Sequence, residues 1–204
     1  MHNLLCTITF ACMPAPEEIS DLEALKALAH PRRQAMLQHL QLHGPATSAT
    51  LARALDLNTG ATSYHLRELA RHGFVKDVPE RARGRERWWR AARRDLRFPR
   101  RSEQDPATRA VVDEMNRLAF AADLELFAQA QLNADNATGG QEWDDALPYS
   151  RGTIQVTPQE LREFFEDYIA LLNRYKRPEG SLPPGARTML TRFLAFPAPP
   201  AEDP

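Results

Sequence analysis

The chain has 204 residues, enough for one large domain or two small ones, and its 43% hydrophobic and 26% charged residues with a net charge of -1 are ordinary for a soluble globular protein. No apolar run approaches the roughly 18 residues that span a bilayer, and the apolar start, Met1 to Cys12, lacks the positive flank of a secretory signal, so the expected compartment is the cytoplasm. The two cysteines, Cys6 and Cys12, are too few for a disulfide framework or a structural zinc site.

Residues 1–19 read as a flexible leader, with a start at Met13 as the alternative to a translated extension. A first helix is predicted over Asp21–Ala29, from Leu22, Leu25 and Leu28 at helical spacing. His30-Pro31 restarts the chain, His30 as a cap or hinge and Pro31 in a first helical turn. The second helix carries Met36, Leu37 and Leu40 and stops at Gly44-Pro45. The third runs over Ser48–Asp56 with Thr47 as its N-cap and Leu51, Ala52 and Leu55 inward. After the turn Asp56-Leu57-Asn58, Asn58 caps a fourth helix that ends at Gly73. Phe74–Val78 reads as a strand, Pro79–Gly84 as a loop and Glu86–Ala91 as the returning strand. A basic, proline-bearing linker covers 93–106.

Ala107–Asn133 reads as a long helix. Val111, Met115, Leu118, Ala122 and Leu126 form one apolar stripe on it, the candidate dimer seam. Strands are expected over 151–156 and 188–196. Between them a helix opens with a capping box at Thr157, Pro158 and Glu160 and reaches about Tyr175. The fold class is therefore mainly α with small β. The division is a winged helix-turn-helix domain over 20–92, a helical or α+β regulatory or dimerisation region over 107–196 and a flexible tail over 197–204.

The net charge conceals a split. Residues 58–101 hold 13 Lys+Arg against 5 Asp+Glu, whereas residues 102–204 hold 9 against 17. A solvated charged surface would account for this, as would a polyanion-binding module joined to an acidic partner region. Placed at 100° per residue, the fourth helix turns Thr62, Leu66 and Leu69 to the core. It presents Gly60, Tyr64, Arg67 and Arg71 outward, with Ser63 on the flank. Such a face suits a major groove: Gly60 permits close backbone approach, Ser63 and Tyr64 can donate, and Arg67 can reach a guanine edge or a phosphate. His65, on the flank, either contacts a phosphate or packs locally. Arg81, Arg83 and Arg85 stand at the hairpin tip and Arg87 on the return strand, the chemistry of a wing along the backbone or the minor groove. Trp88 and Trp89 must point to opposite faces, one of them into the core.

The segments LKALAHPRRQAMLQHL, SATLARALDLNTGATSYHLRELARHGFV and GRERWWRA resemble the winged-helix regulators related to the arsenic-repressor (ArsR) family. The resemblance spans about residues 20–92. It implies a bacterial, duplex-DNA-binding transcriptional regulator, usually a homodimer and often a repressor. On it, Thr59, Ser63, Tyr64, His65 and Arg67 match the recognition-helix stretch, and Arg83, Arg85 and Arg87 match the wing. The metal-sensing members carry a cysteine-rich ELCVCDL-type motif where this chain reads SATLARALDL, so thiolate metal sensing is not expected. The acidic C-terminal half resembles the regulatory extension of larger relatives.

His39 and His43, at i and i+4, could share a metal, but no third ligand completes the set nearby, so neither a metal nor a cofactor is implied. No phosphate-cradling glycine loop, HExxH or serine elbow is present, and no enzymatic role is expected. The partners to expect are duplex DNA, a second copy of the chain and a small apolar effector, with no membrane. The effector would sit where the last helix, through Leu161, Phe164, Phe165, Tyr168, Leu172 and Tyr175, meets the 107–133 helix or a second subunit; the alternative is that these side chains are simply core. A winged-helix module that binds an acidic protein is the alternative reading.

Overall fold

The computed structural model describes residues 17–84, 86–92, 94–132, 143, 146, 150–177 and 181–199. Its elements are β1 (Glu17–Glu18), α1 (Leu22–Leu28), α2 (Pro31–His43), β2 (Ala46–Thr47), α3 (Ser48–Ala54), α4 (Thr59–Arg71), β3 (Val75–Asp77), a 3-10 turn (Pro79–Arg81), β4 (Trp88–Ala91), β5 (Leu96–Arg97), α5 (Pro106–Leu132) and α6 (Pro158–Tyr175). The architecture is mostly helical with small sheets, as the sequence implies.

Each of the first five helices starts on a side chain that accepts from the amides its first turn leaves free. Asp21 caps α1, His30 Nδ1 accepts from Arg32 N–H (3.2 Å), and Thr47 Oγ1 accepts from Thr50 N–H (3.1 Å). Asn58 Oδ1 accepts from Gly60 N–H (2.8 Å), and Asp105 Oδ1 accepts from Ala107 and Thr108 N–H. Asp56 makes the turn between α3 and α4 in the left-handed region (φ +50°), which Asp tolerates better than most side chains. Gly73 (φ +72°) ends α4, and Phe74 N–H closes back onto the Leu69 carbonyl at 2.9 Å.

One apolar core gathers Leu25, Leu28, Met36, Leu40, Leu51, Leu66, Leu69, Phe74, Val75 and Trp89. β4 runs antiparallel between β2 and β3, pairing Ala46 with Trp89 on one side and Asp77 with Trp89 on the other. Trp89 enters the core and Trp88 lies half-buried on the opposite face, as strand alternation requires. The first half of α5 packs on α1, sending Val112 and Met115 into the same core.

Three expectations need correction. Residues 17–19, expected in a flexible leader, and residues 95–97, expected in a linker, join the fold. Glu17 and Glu18 pair in parallel with Leu96 and Arg97, and Ile19 is buried with its N–H on the Arg97 carbonyl (2.9 Å). The strands expected over 151–156 and 188–196 are irregular chain instead. Alternating side chains do not make a strand without a neighbour for the backbone amides, and none pairs with these segments among the described residues. Met115, expected at a dimer seam, is buried in the subunit's own core, and Val111 is half-buried against it.

The chain divides into two compact units near residue 161. α6 opens with the expected capping box: Glu160 N–H donates to Thr157 Oγ1 (3.2 Å), and Thr157 N–H donates to Glu160 Oε2 (2.7 Å). The Thr157 amide, then the Thr157 hydroxyl on the same oxygen (2.8 Å), hold the Glu160 carboxyl below its ordinary range. None of the α6 residues is fully buried. Within the second unit Phe164, Phe165 and Tyr168 surround Phe193, with ring centroids 5.6, 5.9 and 5.1 Å away. The aromatic side expected to line an effector pocket is thus met by a side chain of the same unit.

Candidate nucleic-acid interface

The turn Asp56–Asn58 presents α4 with its inner side anchored by Thr62, Leu66 and Leu69, all fully buried. Thr62 Oγ1 also donates to the Asn58 carbonyl (3.0 Å), so cap and core fix the start of α4 together. This orientation leaves Thr59, Gly60, Tyr64, Arg67 and Arg71 exposed and Ser63 half-exposed on the outer side. A Cβ at Gly60 would lie 3.1 Å from Asn58 Oδ1, so glycine here lets the cap close tightly as well as opening the surface. Tyr64 is 55% exposed and stands on the outward face. Arg67 Nε donates to the Ser63 carbonyl one turn back (3.2 Å), which lays its guanidinium along the helix.

His65 is turned inward and is only 8% exposed, so of its two expected roles the packing one fits its position and the phosphate contact does not. Its ring lies 4.6 Å from that of His30, the cap of α2. Burial first, then His30, Arg33 and Arg32, hold the His65 imidazole below its ordinary pKa. Burial, then Arg33 and Arg32, lower His30 in the same way. Helix geometry puts His65 on the inner edge beside Leu66 and Leu69, about 100° from the exposed Tyr64, and the approach of α2 through His30 covers it.

A groove of about 390 Å³ runs between α3, α4 and the hairpin. Thr47, Ser48 and Ala49 form one wall, Thr59, Ser63 and Arg67 the second, and Glu86, Arg87 and Trp89 the third. Arg87 is held in place there. Its Nε donates to Asp77 Oδ2 (2.8 Å), and its guanidinium lies 4.8 Å from the centre of the Trp89 ring. Arg81 lies over the Trp88 ring at 5.8 Å, and Arg83 is exposed in the loop. Arg85 lies outside the described residues. Ser48, Ala49 and Glu86 were not expected at this surface. Only the fold brings the start of α3 beside the hairpin, and nothing local in the sequence signals that juxtaposition.

Not all of the basic block faces this groove. Arg94 pairs with Glu17, Arg97 with Asp95 (3.1 Å) and Arg101 with Asp113 (2.6 Å), so these arginines are engaged within the chain. Lys76 and Arg90 form a cross-strand pair of like charge between β3 and β4. Such a pair destabilises an isolated sheet and suits a surface that meets anions. The rings of His39 and His43 lie 4.6 Å apart on α2, yet no group of three or more potential metal ligands occurs among the described residues.

Residues 28–78 match the helix-turn-helix domain family, and the N-terminal region is such a domain, followed by a wing-like hairpin. Among solved structures the chain is similar to reduced HlyU from Vibrio cholerae N16961, at 25% identity over 48% of this chain and 85% of that one, with a TM-score of 0.30. A possible transcriptional regulatory protein from Mycobacterium bovis (fragment 1–100) is 24% identical over 50% and 88%, with a TM-score of 0.32. RV1404 from Mycobacterium tuberculosis is 15% identical over 76% and 86%, with a TM-score of 0.28. None of the curated proteins matches the chain. No helix among the described residues is long and apolar enough to cross a membrane.

Proposed function

We propose that the protein is a sequence-specific duplex-DNA-binding transcriptional regulator that acts as a repressor. The observation that carries this reading is the single groove shared by the outward face of α4 and the base of the hairpin, with Arg67 and Arg87 on its walls. In it α4 reads base edges in the major groove through Ser63, Tyr64 and Arg67, with Thr59, Gly60 and Arg71 along the backbone. Arg81, Arg83, Arg85 and Arg87 follow the phosphates or the minor groove.

A mobility-shift titration with genomic fragments at low salt tests the reading, and no retarded fragment at micromolar protein would sink it. Arg67→Ala should cost roughly 1–3 kcal/mol at one base position. Arg83→Ala should weaken all sequences evenly and lower the salt slope by about one. Competition between duplex DNA and an acidic protein separates this function from a protein-docking role for the same cationic surface.

One α4 reads too few base pairs to find a site in a genome, so the functional unit is a two-fold dimer with recognition helices in successive major grooves, about 34–36 Å apart. With Met115 committed to the core and Val111 half-buried against it, α5 leaves the half-buried Leu118, Ala122 and Leu126 and the exposed Phe120, Leu124, Phe127 and Leu132 for a second copy. Light scattering of the full chain and of Leu124→Glu checks this. A monomeric wild type, or a variant that stays dimeric, would remove α5 as the seam.

A further inference from the structure

We infer that Arg94 positions the recognition helix, by tying the C-terminal end of α4 to the N-terminal strand β1 through Glu17. The inference rests on α4 being the DNA-reading helix. By composition Arg94 belongs to the basic block and would pass for one more phosphate contact. Its geometry says otherwise. Its side chain is 20% exposed, and its donors are spent inside the chain. Nη1 donates to the carbonyl of His72, the residue that closes α4 (2.9 Å). Nε donates to Glu17 Oε2 (2.7 Å), and Nη2 to the other oxygen of the same carboxylate, a two-pronged fork. The guanidinium also lies 5.5 Å from the centre of the Phe74 ring, just past the helix end.

The surroundings agree. A cation at a helix C-terminus meets the negative end of the helix dipole and satisfies a carbonyl left without a partner in the helix. Gly73 is the residue that admits it, because a Cβ there would lie 3.1 Å from Arg94 Nη1. Glu17 is itself held, its N–H donating to the Asp95 carbonyl (2.9 Å) in the β1–β5 pair. One guanidinium thus joins three stretches far apart in sequence: the strand before α1, the end of α4 and the segment after the hairpin. Glu17, an acidic residue outside the helix-turn-helix match, thereby acts on a surface that binds an anion.

The sign of the Glu17 effect is the test. If Arg94 touched phosphate, Glu17→Gln would remove a competing negative charge and tighten DNA binding, and Arg94→Gln would lower the salt slope by about one. A positioning role gives the opposite pattern. Glu17→Gln and Arg94→Gln each weaken operator binding by about three- to tenfold, the salt slope stays at the wild-type value, and the double variant is no worse than the weaker single one. Arg94→Lys, which keeps the charge and loses the fork, recovers only part of the affinity. Tighter or unchanged binding by Glu17→Gln, or a reduced slope in Arg94→Gln, overturns the inference. Should Arg94→Gln fail to fold, Glu17→Gln decides alone. Should the wild type retard no duplex, the DNA-binding reading fails by itself, and amide exchange at Leu69–Gly73 decides the tether: faster exchange in both variants upholds it, and unchanged exchange refutes it.

Discussion

α4 and α6 are both amphipathic helices that begin on a side-chain cap, yet the structure treats them differently. α4 sends Thr62, Leu66 and Leu69 into complete burial, whereas α6, five residues longer, has no residue fully buried. The difference is in what surrounds each apolar side. α4 meets α1, α2, α3 and β3, each with apolar side chains of its own. Phe164, Phe165 and Tyr168 of α6 gather around one ring, Phe193. An apolar stripe in a sequence states a demand for cover; the number of elements that converge on it decides how much is supplied.

The comparison breaks if truncation costs the two helices alike. Leu66→Ala should cost about 2–5 kcal/mol, because a fully buried side chain leaves a cavity that its neighbours cannot fill. Phe165→Ala, in a half-open cluster, should cost about 1 kcal/mol. Urea unfolding followed by far-ultraviolet circular dichroism measures both, and equal costs would place α6 in a core as closed as that of α4.

Acid should separate the units next. The five histidines among the described residues, His30, His39, His43, His65 and His72, all belong to the unit that contains α4. His30 and His65 have folded pKa values below those of the unfolded chain, so between the two the unfolded state binds more protons and stability rises with pH. Their contribution is complete above about pH 6.5 and is lost as the pH falls through that value toward the lower folded ones. The melting temperature of the α4 unit should therefore fall between neutral pH and about pH 5.5, and His65→Asn should flatten the fall. A wild-type melting temperature constant over that range would contradict the histidine contact.

Capping gives the smallest effects. Asn58→Ala should cost about 1 kcal/mol, since the Gly60 and Ala61 amides lose their acceptor. Thr157→Ala should cost about 0.5 kcal/mol, near the value for isolated helices, because little tertiary packing stands behind the α6 start. Circular dichroism during unfolding ranks the two, and a larger effect at Thr157 would reverse the comparison.

Legibility in the sequence followed the same division. The caps Thr47 and Asn58, the stop at Gly73 and the inward set Thr62, Leu66 and Leu69 were readable because each is decided within one or two helical turns. His65 was not, since its placement depends on how closely α2 approaches. β1, β2 and β5 have two residues each, too short for any period to show. Residues 151–156 and 188–196 show the opposite failure: they have a strand-like pattern and no strand to pair with. Nothing in the run of arginines separates Arg94, turned inward onto Glu17, from Arg83, exposed in the loop. Only the fold assigns them to different work.

α5 has one end in each environment. Its first half is fixed by Val112 and Met115 against α1, while Phe120, Leu124 and Phe127 farther along stand exposed. From Met115 to Leu132 the helix extends about 25 Å. A rod clamped at one end is a lever: force applied near Leu132 acts on the Met115 contact with a long mechanical advantage, and α1, which bears that contact, also touches α4. Whatever grips the outer half of α5 therefore pulls on the packing beneath α4 without approaching the groove itself.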